Sequence, residues 1–232
     1  MKIIFKRSVF ALAIAVASST MVMANSIDIK IIGTISPSAC TPALSGGGVI
    51  DYGVITANSL KKDSYTQLDK KQLDFSITCD APTKVALRAI NGRPSTAAGT
   101  TETGDNGGPT PEGISRQYGD FVVGLGLDGQ HKIGGYNIAL FNTFIDGGYF
   151  GNEISKDSSD SMWQPKLDNK NSLFSDKQIL ISYAKDSTYL PAALSTLSGT
   201  LGIQAYINKS SELDLTKPVK LDGLTTIELV YL

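Results

Sequence analysis

Apolar and polar residues alternate along much of this chain, which is the pattern of a β-strand with one buried face. Between residues 72 and 79 the odd positions are apolar and the even ones polar. The odd positions are Leu73, Phe75, Ile77 and Cys79. The pattern resumes at residues 85–89, after Asp80-Ala81-Pro82. We therefore expect a hairpin that reverses at these three residues and places Cys79 toward the core.

The same alternation predicts further strands, most of them bounded by Gly, Asp, Asn or Pro. They cover residues 49–55, 119–127, 136–145, 178–184, 201–207 and 224–232. Only residues 190–197 hint at a short helical turn, and no convincing N-cap precedes them. Because strands dominate and a parallel sheet would need covering helices, the pattern favours an all-β antiparallel sandwich.

Residues 91–113 interrupt the strand pattern with six Gly, three Pro, five Thr and hardly any large apolar residue. This composition is typical of a long surface loop or of a linker between domains. We favour a loop, extending to about residue 118, because neither flank has a complete hydrophobic set of its own.

The first 24 residues have the three parts of an export signal. Lys2, Lys6 and Arg7 form the basic start, residues 9–17 an unbroken apolar run, and residues 22–24 a small-residue cleavage site. A run of this length is too short to cross a hydrocarbon layer about 30 Å thick. We therefore expect no stable membrane insertion after the signal is removed. The mature chain is then expected to consist of an N-terminal extension, residues 25–36, and one domain, residues 37–232.

Charge and cysteine content narrow the possible functions. Loss of the signal reduces the 21 basic residues by three, against 22 acidic ones, which gives a net charge of about −4. A nucleic-acid partner is therefore not expected. In the oxidising compartment outside the cytoplasm, the two cysteines, Cys40 and Cys79, are expected to form a disulfide. Two thiols and a single histidine do not complete the four ligands of a zinc site.

The sequence contains no convincing motif for catalysis or for cofactor binding. The single histidine, His131, lies in a predicted turn, and the chain has no Gly-x-Ser-x-Gly or His-Glu-x-x-His motif. Residues 124–129 match the dinucleotide-binding glycine pattern, but no helix follows, so we interpret them as a strand that enters a hairpin. We expect no enzyme activity, cofactor or metal. A pair of carboxylates for glycoside hydrolysis stays open, since any two acidic residues can meet in space.

The two ends of the mature chain carry the most specific patterns. In the extension the odd positions are apolar or glycine: Ile27, Ile29, Ile31, Gly33 and Ile35. A strand with such a face must be covered by its own domain or by another molecule, because exposed it would promote aggregation. At the other end, Ile227, Leu229 and Tyr231 share one strand face and the sequence stops at Leu232. We expect this last strand to need a partner as well.

Together these features resemble the chaperone-usher pilins, the fimbrial subunits of Gram-negative bacteria. The resemblance rests on the export signal, the alternating extension, Gly33 seven residues before Cys40, the cysteine pair and the penultimate Tyr231. It covers residues 25–90 and 200–232. The middle of the chain makes it longer than an ordinary rod subunit, so it is most similar to the enlarged fimbria-like subunits of enterobacteria.

The resemblance implies an immunoglobulin-like sandwich that lacks its last strand. An apolar groove would then lie beside the strand that carries Ile227, Leu229 and Tyr231. A periplasmic chaperone would fill the groove and hold the terminal carboxylate of Leu232, and an outer-membrane usher would assemble the subunits. In the fibre, the extension of a neighbouring subunit would replace the chaperone by donor-strand exchange. The four odd-numbered isoleucines of the extension would then insert, and Gly33 would pass where no side chain fits.

We therefore expect a structural subunit that passes through the periplasm to a fimbrium on the outer cell surface. The alternative is an adhesive binding module that recognises a host glycan or protein through residues 91–118 and exposed aromatics such as Tyr118, Tyr149 and Trp163. A secreted hydrolase that depends on two carboxylates is a third class.

Overall fold

Antiparallel strand ladders build the folded part of the chain. The computed structural model describes residues 29–34, 38–149, 152–157, 159–166, 171–185 and 188–232. The chain divides after Ser36, and residues 37–232 form one unit. The described residues contain no α-helix. The expected all-β, sandwich-like fold is confirmed.

The strands are β1 (Cys40–Leu44), β2 (Thr66–Gln67), β3 (Lys71–Asn91), β4 (Gly108–Pro109), β5 (Phe121–Gly124), β6 (Leu127–Asp128), β7 (His131–Lys132), β8 (Gly134–Ile145), β9 (Gly148–Tyr149), β10 (Asn152–Asp157), β11 (Gln164–Pro165), β12 (Ile179–Ala184), β13 (Ala193–Ile207) and β14 (Thr225–Tyr231). Short 3₁₀ turns span Ser45–Gly48, Ala57–Ser59 and Ser210–Glu212. The main sheet has the order β11-β10-β12-β3-β13-β8-β5-β4, with β1 and β14 paired to β3.

β3 connects the two halves of the curled sheet. Its first half pairs with β1 and β13, and its second half with β14 and β12. The predicted hairpin at residues 80–82 is therefore wrong, because β3 continues through these residues without reversing. Pro82 lacks an N–H, and it sits where the ladder between β3 and β13 shifts register. An irregularity of this kind bends a strand from one half of a sheet to the other without reversing it.

The core lies between the inward faces of the two halves. The alternating residues of β3 supply Phe75, Ile77, Val85 and Leu87 to it, all buried. β8, β12 and β13 supply further buried residues of the same cluster: Leu140, Ile181, Tyr183, Leu197 and Leu201. In the first half of β3 the parity of the apolar positions identifies the core-facing side correctly. Much of β8, β12 and the C-terminal half of β13 is buried on both faces, so alternation does not separate two sides there.

Three segments differ from the sequence expectation or refine it. Residues 49–55, predicted as a strand, belong to no strand. Residues 190–197 form no helical turn, since β13 begins at Ala193. The loop 91–118 lies within the unit 37–232 and packs a second small cluster, which includes Ala97, Ala98 and Ile114, against Tyr206 of β13. This packing is internal to the unit, as expected of a loop rather than a linker.

The expected disulfide between Cys40 and Cys79 is confirmed. The two cysteines are directly opposite in the antiparallel pair of β1 and β3. The bond therefore fixes β1, the first strand after the extension, to the central strand of the fold.

Replacing both cysteines with serine is expected to lower the free energy of unfolding by about 3–4 kcal/mol, because the bond closes a loop across a separation of 39 residues. Urea unfolding of the oxidised protein and of the Cys40→Ser/Cys79→Ser variant measures the difference. Reductant should lower the midpoint of the unsubstituted protein and leave the variant unaffected. Equal midpoints for the oxidised protein and the variant would contradict the prediction.

Candidate functional site

An apolar groove of about 1280 Å³ opens on the interior of the unit 37–232. Its floor consists of core-facing residues of β3, β8 and β13: Leu73, Phe75, Ile138, Leu201 and Ile203. Four of these side chains belong to the main core cluster, and Leu73 packs against it. The groove is therefore an opening into the sandwich interior rather than a separate surface pocket.

Two irregular segments form the walls of the groove. The first wall, residues 49–56, contributes Ile50, Tyr52 and Ile55, which are partly buried against the core. The hydroxyl of Tyr52 accepts a hydrogen bond from the N–H of Ala205 (3.3 Å), which attaches this wall to β13. Burial raises the pKa of the Tyr52 phenol. The second wall, residues 213–223, contributes Leu213, Leu215, Val219 and Leu221.

β14 borders the groove with one free edge. It pairs with β3 from Thr225, opposite Asn91, to Tyr231, opposite Val85. Among the described residues β3 is its only strand partner. Ile227 lines the groove, whereas Leu229 does not line it and packs against the same core. The backbone groups on the far side of β14 can therefore form a ladder with an added strand.

Of the residues expected at the groove or at the chaperone contact, Leu229, Tyr231 and Leu232 do not line the groove. Tyr231 ends β14, and Leu232 follows it. The hydroxyl of Tyr231 accepts a hydrogen bond from the N–H of Cys40 (2.8 Å). The N–H of Leu232 donates to the carbonyl of Lys84 (3.1 Å), and its side chain is half exposed. Tyr231 thus joins the end of β14 to the start of β1.

Tyr136 connects the two halves of the sheet beside the groove. Its hydroxyl and that of Thr225 in β14 are 2.6 Å apart and share a hydrogen bond. The ring also occupies the space next to Gly223, where an added Cβ would lie 2.9 Å from it. Burial is the main cause that raises the pKa of Tyr136 to about 12. This tyrosine is a polar bridge within an otherwise apolar opening.

The residues predicted to be donated are described only in part. Ile29 and Ile31 are 86% and 95% exposed, and residues 29–34 belong to no strand. Ile27, Ile35 and the predicted signal, residues 1–24, lie outside the described residues. Gly33 is described, and nothing lies within 4 Å of a Cβ added there.

The loop 91–118 is held by the buried carboxylate of Glu102. Its oxygens accept hydrogen bonds from Asn91 Nδ2 (2.6 Å), the N–H of Ala97 (2.8 Å) and the N–H of Gly124 (3.2 Å). A carboxylate with several donors in a buried place fixes the loop conformation from inside.

The aromatics expected to serve a binding loop are largely engaged within the protein. Tyr118 is buried, not exposed as expected, and stacks on Phe141 with ring centroids 5.7 Å apart. Gly202 lies under the Tyr118 ring and leaves room for it. Trp163 is half-buried, with Lys156 Nζ 5.4 Å from its ring centroid. The side chain of Tyr149 lies outside the described residues.

The single histidine lies in a short hairpin, beside the turn that the sequence predicts. His131 is exposed in the hairpin of β6 and β7, and Gly129 makes its turn with φ +62°. In the parts of the chain that the structure covers, no three His, Cys, Asp or Glu residues group to hold a metal ion. Within the same ranges no helix has the length and apolarity to span a membrane.

The fold and site define an all-β protein with an apolar groove beside its last strand. A family model described as "Protein of unknown function (DUF1120)" matches residues 29–137. Protein GltF of Escherichia coli (strain K12) is 30% identical over 241 aligned positions, which cover 96% of this chain and 94% of GltF. The chain belongs to the same family as GltF.

A further relative is Uncharacterized protein YhcF of the same organism. It is 27% identical, over 89% of this chain and 90% of YhcF. No solved structure matches the chain. None of these matches is described as a pilin, so the resemblance to pilins stays a prediction.

In the sequence analysis, the second wall and most of the floor residues are not predicted to line a groove. A signal for the wall was present, because Leu213, Leu215, Val219 and Leu221 continue the odd parity of β14 backwards. Pro218 and the turn around Thr216 obscure it. Alternation alone does not distinguish the floor residues from other core residues, because the two sets lie on the same strand faces.

Substitution Tyr136→Phe is expected to cost about 1 kcal/mol of stability at neutral pH through the lost hydrogen bond. The raised pKa of Tyr136, about 12 against an ordinary 10.0, means that its stabilising contribution is complete below pH 10 and is lost as the pH rises through 12. The variant has no hydroxyl to ionise at this position. The difference in the free energy of unfolding between the unsubstituted protein and the variant should therefore shrink above pH 10. Urea unfolding from pH 7 to 11.5 measures it, and a difference independent of pH would contradict the prediction.

Proposed function

We propose that this protein is a structural subunit of a bacterial surface fimbria. It is exported to the periplasm and polymerises by donor-strand exchange, in which residues 25–36 of one copy fill the groove of the next. The observation that carries the proposal is the apolar groove beside the free edge of β14.

The extension is long enough to pair along the whole of β14, and its odd-numbered face matches the groove in polarity. Nine residues from Ile27 to Ile35 span about 30 Å when extended, and the seven residues of β14 span about 23 Å. One face of the extension carries four isoleucines and a glycine, and the groove floor is apolar. A strand inserted with this face inward would cover the open core.

Both sides of the groove can pair with an inserted strand. β14 offers its free edge on one side. The first wall, residues 49–56, belongs to no strand, although Ile50 and Tyr52 already alternate inward. An inserted strand could therefore form ladders with β14 and with the first wall, which converts an exposed edge into the middle of a sheet.

The energy of insertion supports a long-lived contact. Burying an isoleucine side chain stabilises by about 1.5–3 kcal/mol, so four of them give roughly 6–12 kcal/mol before any backbone hydrogen bond is counted. In this proposal a periplasmic chaperone covers the groove before assembly, and an outer-membrane usher joins the subunits. The hydrogen bond of Tyr231 with Cys40 joins β14 to β1 and so holds β14, the strand with the free edge, in position.

Removal of residues 25–36 is expected to abolish polymer formation and to leave a soluble complex with the cognate chaperone. The chain with and without these residues is coexpressed with that chaperone in a bacterial periplasm. Unboiled samples are then examined for SDS-resistant, heat-sensitive ladders. Equal ladders from both chains would overturn the proposed function.

Two point variants locate the effect in the inserted face. Ile31→Asp and Gly33→Leu are expected to slow assembly at least about tenfold, since an uncompensated charge or added bulk does not fit an apolar groove. Thr34→Asp is the matched control, because Thr34 has the opposite parity and would face solvent. Assembly slowed equally by Ile31→Asp and Thr34→Asp would contradict insertion of the odd-numbered face.

A further inference from the structure

The face of the extension that points away from the groove carries one apolar side chain. In a strand inserted with its odd positions inward, Asp28, Lys30, Ile32 and Thr34 lie on the outer face. Three of these residues are polar or charged, and Ile32 is the exception. Its side chain is 89% exposed. Donation of the odd face into the groove does not account for this residue.

The rim of the groove presents a matching apolar side chain. Val54, in the first wall, lines the groove and is nevertheless 94% exposed. It follows Gly53, whose φ of +64° breaks the alternation of the wall, so that Val54 is exposed while Ile55 packs on the core. Of the exposed large apolar side chains in the described residues, only Val54 and Leu44 line the groove, and Leu44 is far less exposed.

We propose that Ile32 of one copy packs on Val54 of the next copy, over the outer side of the filled groove. This inference rests on the proposed function. A strand that pairs with the first wall places its outer face beside the outer face of that wall, and neighbouring side chains there come within contact distance. The occupant is a second copy of this chain, because the chain itself supplies both exposed partners.

The contact has a consequence for specificity. The odd-numbered face alone does not fix the register of the inserted strand. Because Ile27, Ile29 and Ile31 repeat every two residues, a shift of the strand by two residues along the groove would still bury isoleucines. Ile32 has no apolar neighbour on its own face at positions 30 and 34. Its pairing with Val54 therefore selects one register, and a donor with a polar residue at this position is disfavoured.

A double-mutant cycle on the full mature chain tests the contact. The variants are Ile32→Thr, Val54→Thr, both together, and Val49→Thr as control, since Val49 is 69% exposed on the same wall but does not line the groove. The rate at which the SDS-resistant dimer band dissociates is measured at one fixed temperature. We expect each single variant to dissociate about two- to fivefold faster, the double variant no faster than the faster single one, and Val49→Thr at the unsubstituted rate.

The outcomes separate the contact from the proposed function. Ladders that form normally and dissociate at the same rate in all variants overturn the contact alone. Multiplied, independent effects of the two substitutions also overturn it, because residues in contact are not additive. Absence of any ladder from the unsubstituted chain, as expected if another protein or the chain's own extension fills the groove, overturns the proposed function and the contact with it.

Discussion

The apolar opening beside β14 is the feature on which the proposed function depends. A sandwich hides its core only when strands or connections cover the whole inner face of each sheet. Here irregular segments line the opening, and β14 keeps one edge without a strand partner among the described residues. A strand added at this edge would gain backbone hydrogen bonds and apolar burial at the same time, and residues 25–36 have the alternation required for it.

The surrounding structure keeps this opening in place. β3 holds β14 by a ladder of seven residue pairs, and the disulfide holds β1 to the same strand. Tyr231 joins β14 to β1, and Tyr136 joins β14 to β8. These bonds fix the positions of the groove edges through different groups. The large loop 91–118 is attached separately, through the buried Glu102 and a second apolar cluster.

Residue parity predicted much of this fold from sequence. It identified the core face of the first half of β3 and the existence of most other strands, while the even cysteine count and the export signal predicted the disulfide. It failed at Asp80-Ala81-Pro82, where turn-forming residues bend a continuous strand, because sequence alone does not distinguish a bend between sheet halves from a reversal. Alternation put Ile227, Leu229 and Tyr231 on one strand face, but it does not show where along that strand the opening ends, and only Ile227 of the three lines the groove.

In the proposed function, residues 37–232 leave the free edge of β14 for another strand to fill. Hydrogen exchange of the β14 amides, residues 225–231, tests it most directly. Alternate amides of β14, those directed away from β3, are expected to exchange rapidly in the chaperone-free chain lacking residues 25–36 and to become protected in the assembled full chain. Strong and equal protection of every β14 amide in the chain lacking these residues would contradict it.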